Sequence, residues 1–109
     1  MPKYIIEREI PGSGGLTSTS LKKIAKKSCD VITEMDGKVQ WIESFVTADK
    51  WYCVYLAANE QLIKEHAKRG DFPANAINEL MAIVDPASGE NILSESWTSF
   101  ITSNQNQQV

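Results

Sequence analysis

The sequence has no apolar run long enough to cross a membrane. A membrane-spanning helix needs about 18 or more apolar residues in a row, and no stretch of the 109-residue chain approaches that length. The N-terminus, MPKYIIEREIPG, alternates charged with apolar residues and lacks the apolar core of a signal peptide. We therefore expect a cytoplasmic protein that does not associate with membranes.

The sequence also lacks an excess of positive charge. Its 11 lysines and arginines are outnumbered by 14 aspartates and glutamates, which gives a formal net charge of -3 at pH 7. Such a chain does not attract a phosphate backbone, so nucleic acid is not an expected partner. The hydrophobic fraction of 42% is typical of a folded globular protein, and a length of 109 residues fits one domain.

Cysteine and histidine are scarce. The two cysteines, Cys29 and Cys53, do not form a CxxC pair, and without a secretory signal they are expected to be free thiols. The single histidine, His66, follows Cys53 at a spacing that matches no compact metal motif. The glycine-containing run from Pro11 to Gly15 lacks the Gly-Lys ending of a phosphate-binding loop, and we interpret it as a connector.

Periodic segments predict four strands and two helices. Apolar residues alternate with polar ones in the strands and recur every three or four residues in the helices. Thr17 and Asn59 are suited to cap the N-termini of the helices, and Gly37 and Gly70 are suited to follow their ends. The predicted order is a strand over 3–10, a helix over 17–35, a hairpin of strands over 38–47 and 50–57, a helix over 59–69 and a strand over 80–84.

The pairing of the hairpin strands decides which side chains share a face of the sheet. A turn at Ala48-Asp49 places Ser44 opposite Cys53. The same register places Ile42 opposite Tyr55, on the same face. The other face then carries Trp41, Glu43, Phe45, Tyr52, Val54 and Leu56. A shift of one residue would exchange these two groups relative to each other.

The order strand, helix, strand, strand, helix, strand is the split βαβ pattern of ferredoxin-like folds. We therefore predict an α+β domain over residues 1–86, in which two helices cover one face of a four-stranded antiparallel sheet. The uncovered face carries too much apolar surface to be left in water, which predicts a homodimer packed sheet against sheet. Residues 87–109 are predicted to form an extension, with a short docking helix over 91–102 and a frayed polar end.

The segment from residue 3 to residue 85 carries a family pattern. Its positions are Tyr4 to Glu9, Pro11-Gly12, Ser28-Cys29, Trp41, Ser44, Val46-Thr47, Asp49-Lys50, Tyr52 to Tyr55, Ala57, Glu60, His66-Ala67 and Phe72 to Asn75. This pattern resembles a small family of nickel-responsive, nickel-binding proteins that has no established reaction. The resemblance implies a ferredoxin-like protomer, a dimeric α/β barrel and binding of nickel or another divalent transition metal. Trp51, Leu56 and the C-terminal extension depart from the family pattern.

Cys53 and His66 are the first candidates for metal ligands. Thiolate and imidazole both suit nickel, copper and zinc, and a phenol or carboxylate oxygen can complete such a site. Cys53 and Tyr55 are predicted to face the helices, and His66 lies on the apolar stripe of the second helix. The predicted metal ligands are Cys53, Tyr55, Glu60 and His66. The alternative is that Cys53 and His66 are core residues without a ligand.

A second hypothesis places a small-molecule or catalytic site on the uncovered face. A carboxylate such as Glu7, once enclosed by a partner, must be paired, protonated or bound to a metal. The predicted cavity residues are Glu7, Trp41, Glu43 and Tyr52. Cys53 as a nucleophile with His66 as its base is disfavoured, because no carboxylate is well placed to orient the imidazole. A third hypothesis is a structural module without a site, and we expect a binding protein in preference to an enzyme.

Overall fold

The computed structural model describes residues 1–91. Its elements follow the predicted order of strands and helices. The elements are β1 (Lys3–Glu9), α1 (Ser18–Glu34), β2 (Val39–Val46), β3 (Lys50–Ala57), α2 (Glu60–Gly70), β4 (Ala76–Leu80) and α3 (Pro86–Asn91). A single 3-10 turn, Ser13–Gly15, lies between β1 and α1.

β1 and β3 form the centre of the sheet. The strand order is β2-β3-β1-β4, and every neighbouring pair is antiparallel. Alternate residues of β1 and β3 are buried, and α1 and α2 pack against each other and against the sheet. This arrangement confirms the predicted ferredoxin-like α+β fold.

The two long helices begin where side chains satisfy free backbone amides. Thr17 Oγ1 accepts a hydrogen bond from the Ser20 amide at 3.1 Å. Asn59 Oδ1 accepts one from the Leu62 amide at 3.0 Å. These amides belong to the first turn of each helix, where no backbone acceptor is available. Both helix starts are therefore predicted correctly from the local sequence.

The end of α2 differs from the prediction by one residue. Gly70 is the last helical residue, and Asp71 takes the left-handed conformation with a φ of 56°. The glycine is required for space, because a Cβ atom at position 70 would overlap the Phe72 ring. The Phe72 amide donates to the Ala67 carbonyl at 2.8 Å. Gly70 thus allows Phe72 to fold back against the helix.

The core lies between the sheet and the two long helices. Ile6, Val39 and Ile63 are almost completely buried at its centre. Other buried apolar residues surround them: Tyr4, Val31, Met35, Trp51, Cys53, Tyr55 and Ala57. Arg8, Ser28 and His66 are also buried, although an apolar core does not require them. These polar residues identify the part of the core where a function is most plausible.

A bulge in β2 changes the predicted faces of the hairpin. Ser44 lies opposite Cys53, as predicted. At Ile42 the strand contains one residue more than β3, so Trp41 and not Ile42 lies opposite Tyr55. Ile42 itself is 47% exposed. The prediction that Trp41 belongs to the uncovered face is therefore wrong, because the bulge moves it to the helix-covered face.

The last strand lies earlier in the sequence than predicted. The apolar run over 80–84 predicts a strand, but β4 ends at Leu80. β4 is positioned by its pairing with β1, and the Asn75 amide donates to the Glu7 carbonyl at 2.9 Å immediately before it. The large apolar residues after β4 are exposed: Met81, Ile83 and Val84.

The C-terminal extension is described as far as residue 91. It contains α3, which follows an Asp85 carboxylate that accepts a hydrogen bond from the Ser88 amide at 2.9 Å. The docking helix predicted over 91–102 and the frayed end lie outside the described residues, apart from residue 91. The domain boundary at residue 86 stays a prediction. No helix in the described part of the chain is long and apolar enough to cross a membrane.

Candidate binding site

Five side chains meet beneath the helices, and we refer to them as the buried polar cluster. Strand alternation brings three of them to the helix-covered face, and the helices add the other two. The members are Arg8 of β1, Cys53 and Tyr55 of β3, Ser28 of α1 and His66 of α2. None of them is more than 4% exposed. Because buried polar groups cost free energy when unpaired, their partners determine what the cluster can do.

Ser28 connects the two rings of the cluster. Its Oγ lies 3.1 Å from the Tyr55 hydroxyl and 3.2 Å from His66 Nε2. The Ser28 carbonyl oxygen lies 3.4 Å from the same ring nitrogen. The imidazole also packs on Tyr55 and Phe72, with ring centroids 5.0 and 5.7 Å away. Ser28 therefore holds the phenol and the imidazole side by side.

Burial favours the uncharged form of both rings. Desolvation lowers the pKa of His66 below its ordinary 6.5, helped by the Arg8 charge and opposed by the hydrogen bond to the Ser28 backbone. Desolvation raises the pKa of Tyr55 above its ordinary 10.0, and hydrogen bonding to Ser28 opposes this shift. Neutral imidazole is the form that binds metals. Neither ring can neutralise the permanent charge of Arg8.

Arg8 is a buried cation whose hydrogen bonds are incomplete. Its Nη1 donates to the Pro73 carbonyl at 2.6 Å, and its Nε donates to Cys53 Sγ at 3.4 Å. The guanidinium carbon also lies 5.8 Å from the Tyr55 ring centroid and 5.3 Å from that of Phe72. Within residues 1–91, Nη2 has no hydrogen-bond partner, and no carboxylate forms an ion pair with Arg8.

A small cavity adjoins the buried polar cluster. The volume of the cavity is about 20 Å³, which is enough for one water molecule. Its walls are largely apolar and include Trp41, Trp51 and Phe72. The Trp41 indole nitrogen donates to Ser44 Oγ at 3.0 Å. The buried Trp51 indole nitrogen has no partner in the described part of the chain.

Sequence comparison identifies the family. The family model described as "Nickel responsive protein SCO4226-like" matches residues 4–80. The chain belongs to this family. The matched segment runs from Tyr4 in β1 to the end of β4, so it includes all of the sheet except Lys3, together with the buried polar cluster and the cavity lining.

A solved member of the fold supports the topology. The crystal structure of SCO4226 from Streptomyces coelicolor A3(2) is similar with a TM-score of 0.63 and 18% sequence identity. The alignment covers 75% of this chain and 99% of that chain. At this identity the likeness concerns the fold and not the site. A search of curated proteins finds no match to the sequence.

The structure brings together three of the four predicted metal ligands. Cys53, Tyr55 and His66 belong to the buried polar cluster. Glu60 lies apart from it, with its carboxylate 3.0 Å from the Lys64 ammonium at the surface. No three His, Cys, Asp or Glu side chains in the described residues form a group that could hold a metal ion. Thiol and imidazole fit nickel by donor type, but the Arg8 charge opposes a cation, so the fit is partial.

The four predicted cavity residues are divided between the two faces of the sheet. Glu7 and Tyr52 are paired across β1 and β3 on the uncovered face, and Glu43 lies on the same face. Trp41 lies on the other face because of the bulge. Glu7 is partly exposed and forms an ion pair with Lys50, so the carboxylate is not isolated. A cavity formed with a second copy of the chain stays a prediction.

The sequence analysis did not identify Arg8 or Trp51 as site residues. The signal for Arg8 was available, because strand alternation places it on the same face as Tyr4 and Ile6. A charged residue on a core-facing position is uncommon and marks a site. Trp51 shares its face with Cys53 for the same reason. The missing partner of its indole nitrogen depends on tertiary contacts and has no local sequence signal.

Proposed function

We propose that this protein binds a divalent transition metal ion of the nickel type through the buried polar cluster. One observation carries the proposal: Ser28 holds the neutral His66 imidazole and the Tyr55 phenol together, and Cys53 lines the cavity beside them. The nickel-responsive family to which the chain belongs supports the choice of metal. The proposed ligands are Cys53, His66 and Tyr55.

The donor set is compatible with nickel in chemical type. Imidazole and thiolate both bind nickel, and a phenol oxygen or water can complete a borderline site. His66 Nε2 hydrogen-bonds with Ser28, so a metal must either displace that bond or bind through Nδ1. We leave Glu60 out of the proposed ligands, because its carboxylate pairs with Lys64 on the exposed start of α2.

The charge of Arg8 provides a test of the proposed ligands, because its removal should change the affinity for nickel. Arg8 Nε lies 3.4 Å from Cys53 Sγ, so a metal bound to that sulfur experiences repulsion from the guanidinium. Removal of this charge should therefore strengthen nickel binding at Cys53. A nickel site elsewhere on the protein would not respond in this way.

The experiment is isothermal titration of untagged protein with nickel chloride. We expect the Cys53→Ser and His66→Gln variants to lose at least about tenfold in affinity, since even an outer partner of a metal site contributes that much. Arg8→Gln should bind nickel more tightly than the wild type. Glu60→Gln is the matched control and should bind as the wild type does. Equal affinity in the wild type, Cys53→Ser and His66→Gln would refute the ligand assignment.

We also propose that the protein is a homodimer that packs the uncovered faces of two sheets together. Phe45 on that face is 52% exposed in the single chain. Tyr52 and Leu56 lie on the same face and are only partly covered. A sheet with one solvated face normally carries polar residues there. The apolar side chains on this face therefore favour a second copy of the chain as their cover.

A further inference from the structure

An open groove lies beside the end of β4, and we refer to it as the apolar groove. It is lined by Lys3, Leu80, Met81, Ala82 and Ile83, and its volume is about 240 Å³. Met81 is 84% exposed and Ile83 is 67% exposed. Large apolar side chains that are exposed side by side usually mark a surface that another segment or molecule covers.

The apolar groove adjoins an edge of the sheet. β4 is the last strand in the order β2-β3-β1-β4, and within residues 1–91 it pairs with β1 alone. A free edge strand that continues into exposed apolar residues favours unwanted pairing between chains, and proteins commonly cover such an edge with a helix or a loop. A segment that covers the groove would therefore also protect the edge of β4.

The apolar groove begins where the family match ends. The matched segment ends at residue 80, so Met81, Ala82 and Ile83 lie beyond it. Residues 92–109, which follow the last described residue, Asn91, also lie beyond it. The exposed apolar residues and the segment after α3 are thus parts of one addition to the family pattern. An addition that exposes apolar residues and then supplies more of them can cover its own surface.

The sequence of residues 92–109 complements the groove in polarity and charge. Its large apolar residues are concentrated in the part over 92–101, which contains Ile92, Leu93, Trp97, Phe100 and Ile101. The part over 104–108 consists of asparagine and glutamine. The charged residue of the segment is Glu95, whereas the charged residue that lines the groove is Lys3. Apolar burial and charge attraction therefore act in the same direction.

The segment is long enough to return to the groove of its own chain. Ile83 precedes Pro86 by three residues, which span at most about 10 Å. α3 contains six residues, and a helix of this length extends about 9 Å. Trp97 follows Asn91 by six residues, which span up to about 20 Å when extended. Trp97 can therefore reach the groove whichever way α3 points.

We propose that residues 92–101 pack into the apolar groove of their own chain, with Trp97 against Met81 and Glu95 beside Lys3. A thioether and an indole ring are favourable partners, because the polarisable sulfur attracts the aromatic ring. The occupant is a segment of the same chain and not a second copy, since the segment starts next to the groove. The inference does not depend on nickel binding, because no residue of the buried polar cluster lines the groove.

The test is NMR spectroscopy of the full chain with isotope labels in its methionine methyl groups. The chain has three methionines, Met1, Met35 and Met81, and a Met81→Leu variant identifies the Met81 signal. In the wild type we expect a nuclear Overhauser contact between the Met81 methyl group and the Trp97 indole, and an upfield shift of the Met81 signal caused by that ring. Trp97→Ser should abolish both. The signal of Met35, which is 3% exposed, should stay unchanged and shows that the variant is folded.

Two further variants test the contact from both sides. Gln105→Ser is the matched control, because it places serine in the polar part of the segment and should leave the Met81 signal unchanged. Ile83→Ser changes the groove and not the segment. It should move the Trp97 indole N–H signal towards the position of an exposed indole.

Four results would overturn the proposal. The first is a wild type without the contact between Met81 and Trp97. The second is a Met81 signal that is the same in Trp97→Ser as in the wild type. The third is an equal change in Gln105→Ser. The fourth is a contact found only between labelled and unlabelled chains that were unfolded and refolded together, which would assign the segment to the groove of a second copy. Loss of nickel binding would affect none of these measurements.

Discussion

Burial has different consequences for His66 and Arg8. The imidazole remains neutral, because desolvation lowers its pKa and its ring nitrogen finds Ser28. The guanidinium keeps its charge, so it depends on the Pro73 carbonyl, on Cys53 and on the faces of two aromatic rings. The same region therefore contains a neutral imidazole, which is the form that binds metals, and a cation, which repels them.

The lowered pKa of His66 makes the stability of the fold depend on pH. In the unfolded chain the histidine takes up a proton near pH 6.5, whereas the folded protein resists protonation. The stability that neutral His66 contributes to the fold is fully present above pH 6.5. It is lost as the pH falls from 6.5 through the lower pKa of His66 in the folded protein. We expect the free energy of unfolding, measured by urea denaturation, to fall by up to about 1.4 kcal/mol per pH unit in this window.

The His66→Gln variant is the control for this pH dependence. His66 is the single histidine of the chain, so the variant has no side chain with an ordinary pKa near 6.5. Its urea stability should change less with pH than that of the wild type between about pH 7 and about pH 5. The same slope in both proteins would contradict the assignment.

At the level of elements, local signals predicted the helices better than the strands. Thr17 and Asn59 cap their helices through contacts within three residues, which a single sequence contains. The bulge at Ile42 depends on how β2 pairs with β3, and the alternation within β2 alone does not reveal it. β4 was predicted too late because 80–84 is the more apolar run, while pairing with β1 selects the residues before it.

Deletion of Ile42 should preserve both faces of β2. Trp41 lies opposite Tyr55, and the residue after the bulge, Glu43, lies opposite Val54. Removal of the extra residue joins these two pairs directly and restores regular alternation without reversing either face. We therefore expect a cooperative urea transition and a free energy of unfolding within about 1 kcal/mol of the wild type.

Deletion of Gln40 is the matched control for the bulge. It would move Val39, which is 0% exposed, from the core-facing position to the opposite face. Loss of a buried valine should destabilise the protein by about 1.5–3 kcal/mol. If deletion of Ile42 were the more damaging of the two, the observed register would be wrong.

Considered as a whole molecule, the protein separates its chemistry between the two faces of one sheet. The helix-covered face contains the buried polar cluster and the cavity. The uncovered face contains the Glu7–Lys50 ion pair and a group of apolar side chains. The fold was predictable because element order and periodicity are properties of the sequence. The composition of the site was only partly predictable, because it depends on which side chains of different elements find partners.

The whole-molecule prediction concerns assembly through the uncovered face. A stable interface usually buries about 1,200 Å² or more in total, and the open face of a four-stranded sheet can supply an area of this order. We expect light scattering of the wild type to give twice the 12.1 kDa mass of the chain at micromolar concentration and moderate salt. Phe45→Lys should shift the mass to that of one chain, since burial of a lysine ammonium between two sheets would remove its hydration. Val84→Lys is the control, because Val84 is 80% exposed but lies outside the sheet, and this variant should remain dimeric. A wild type that stays at 12.1 kDa, or a loss of the dimer in both variants, would show that the uncovered face is not the dimer interface.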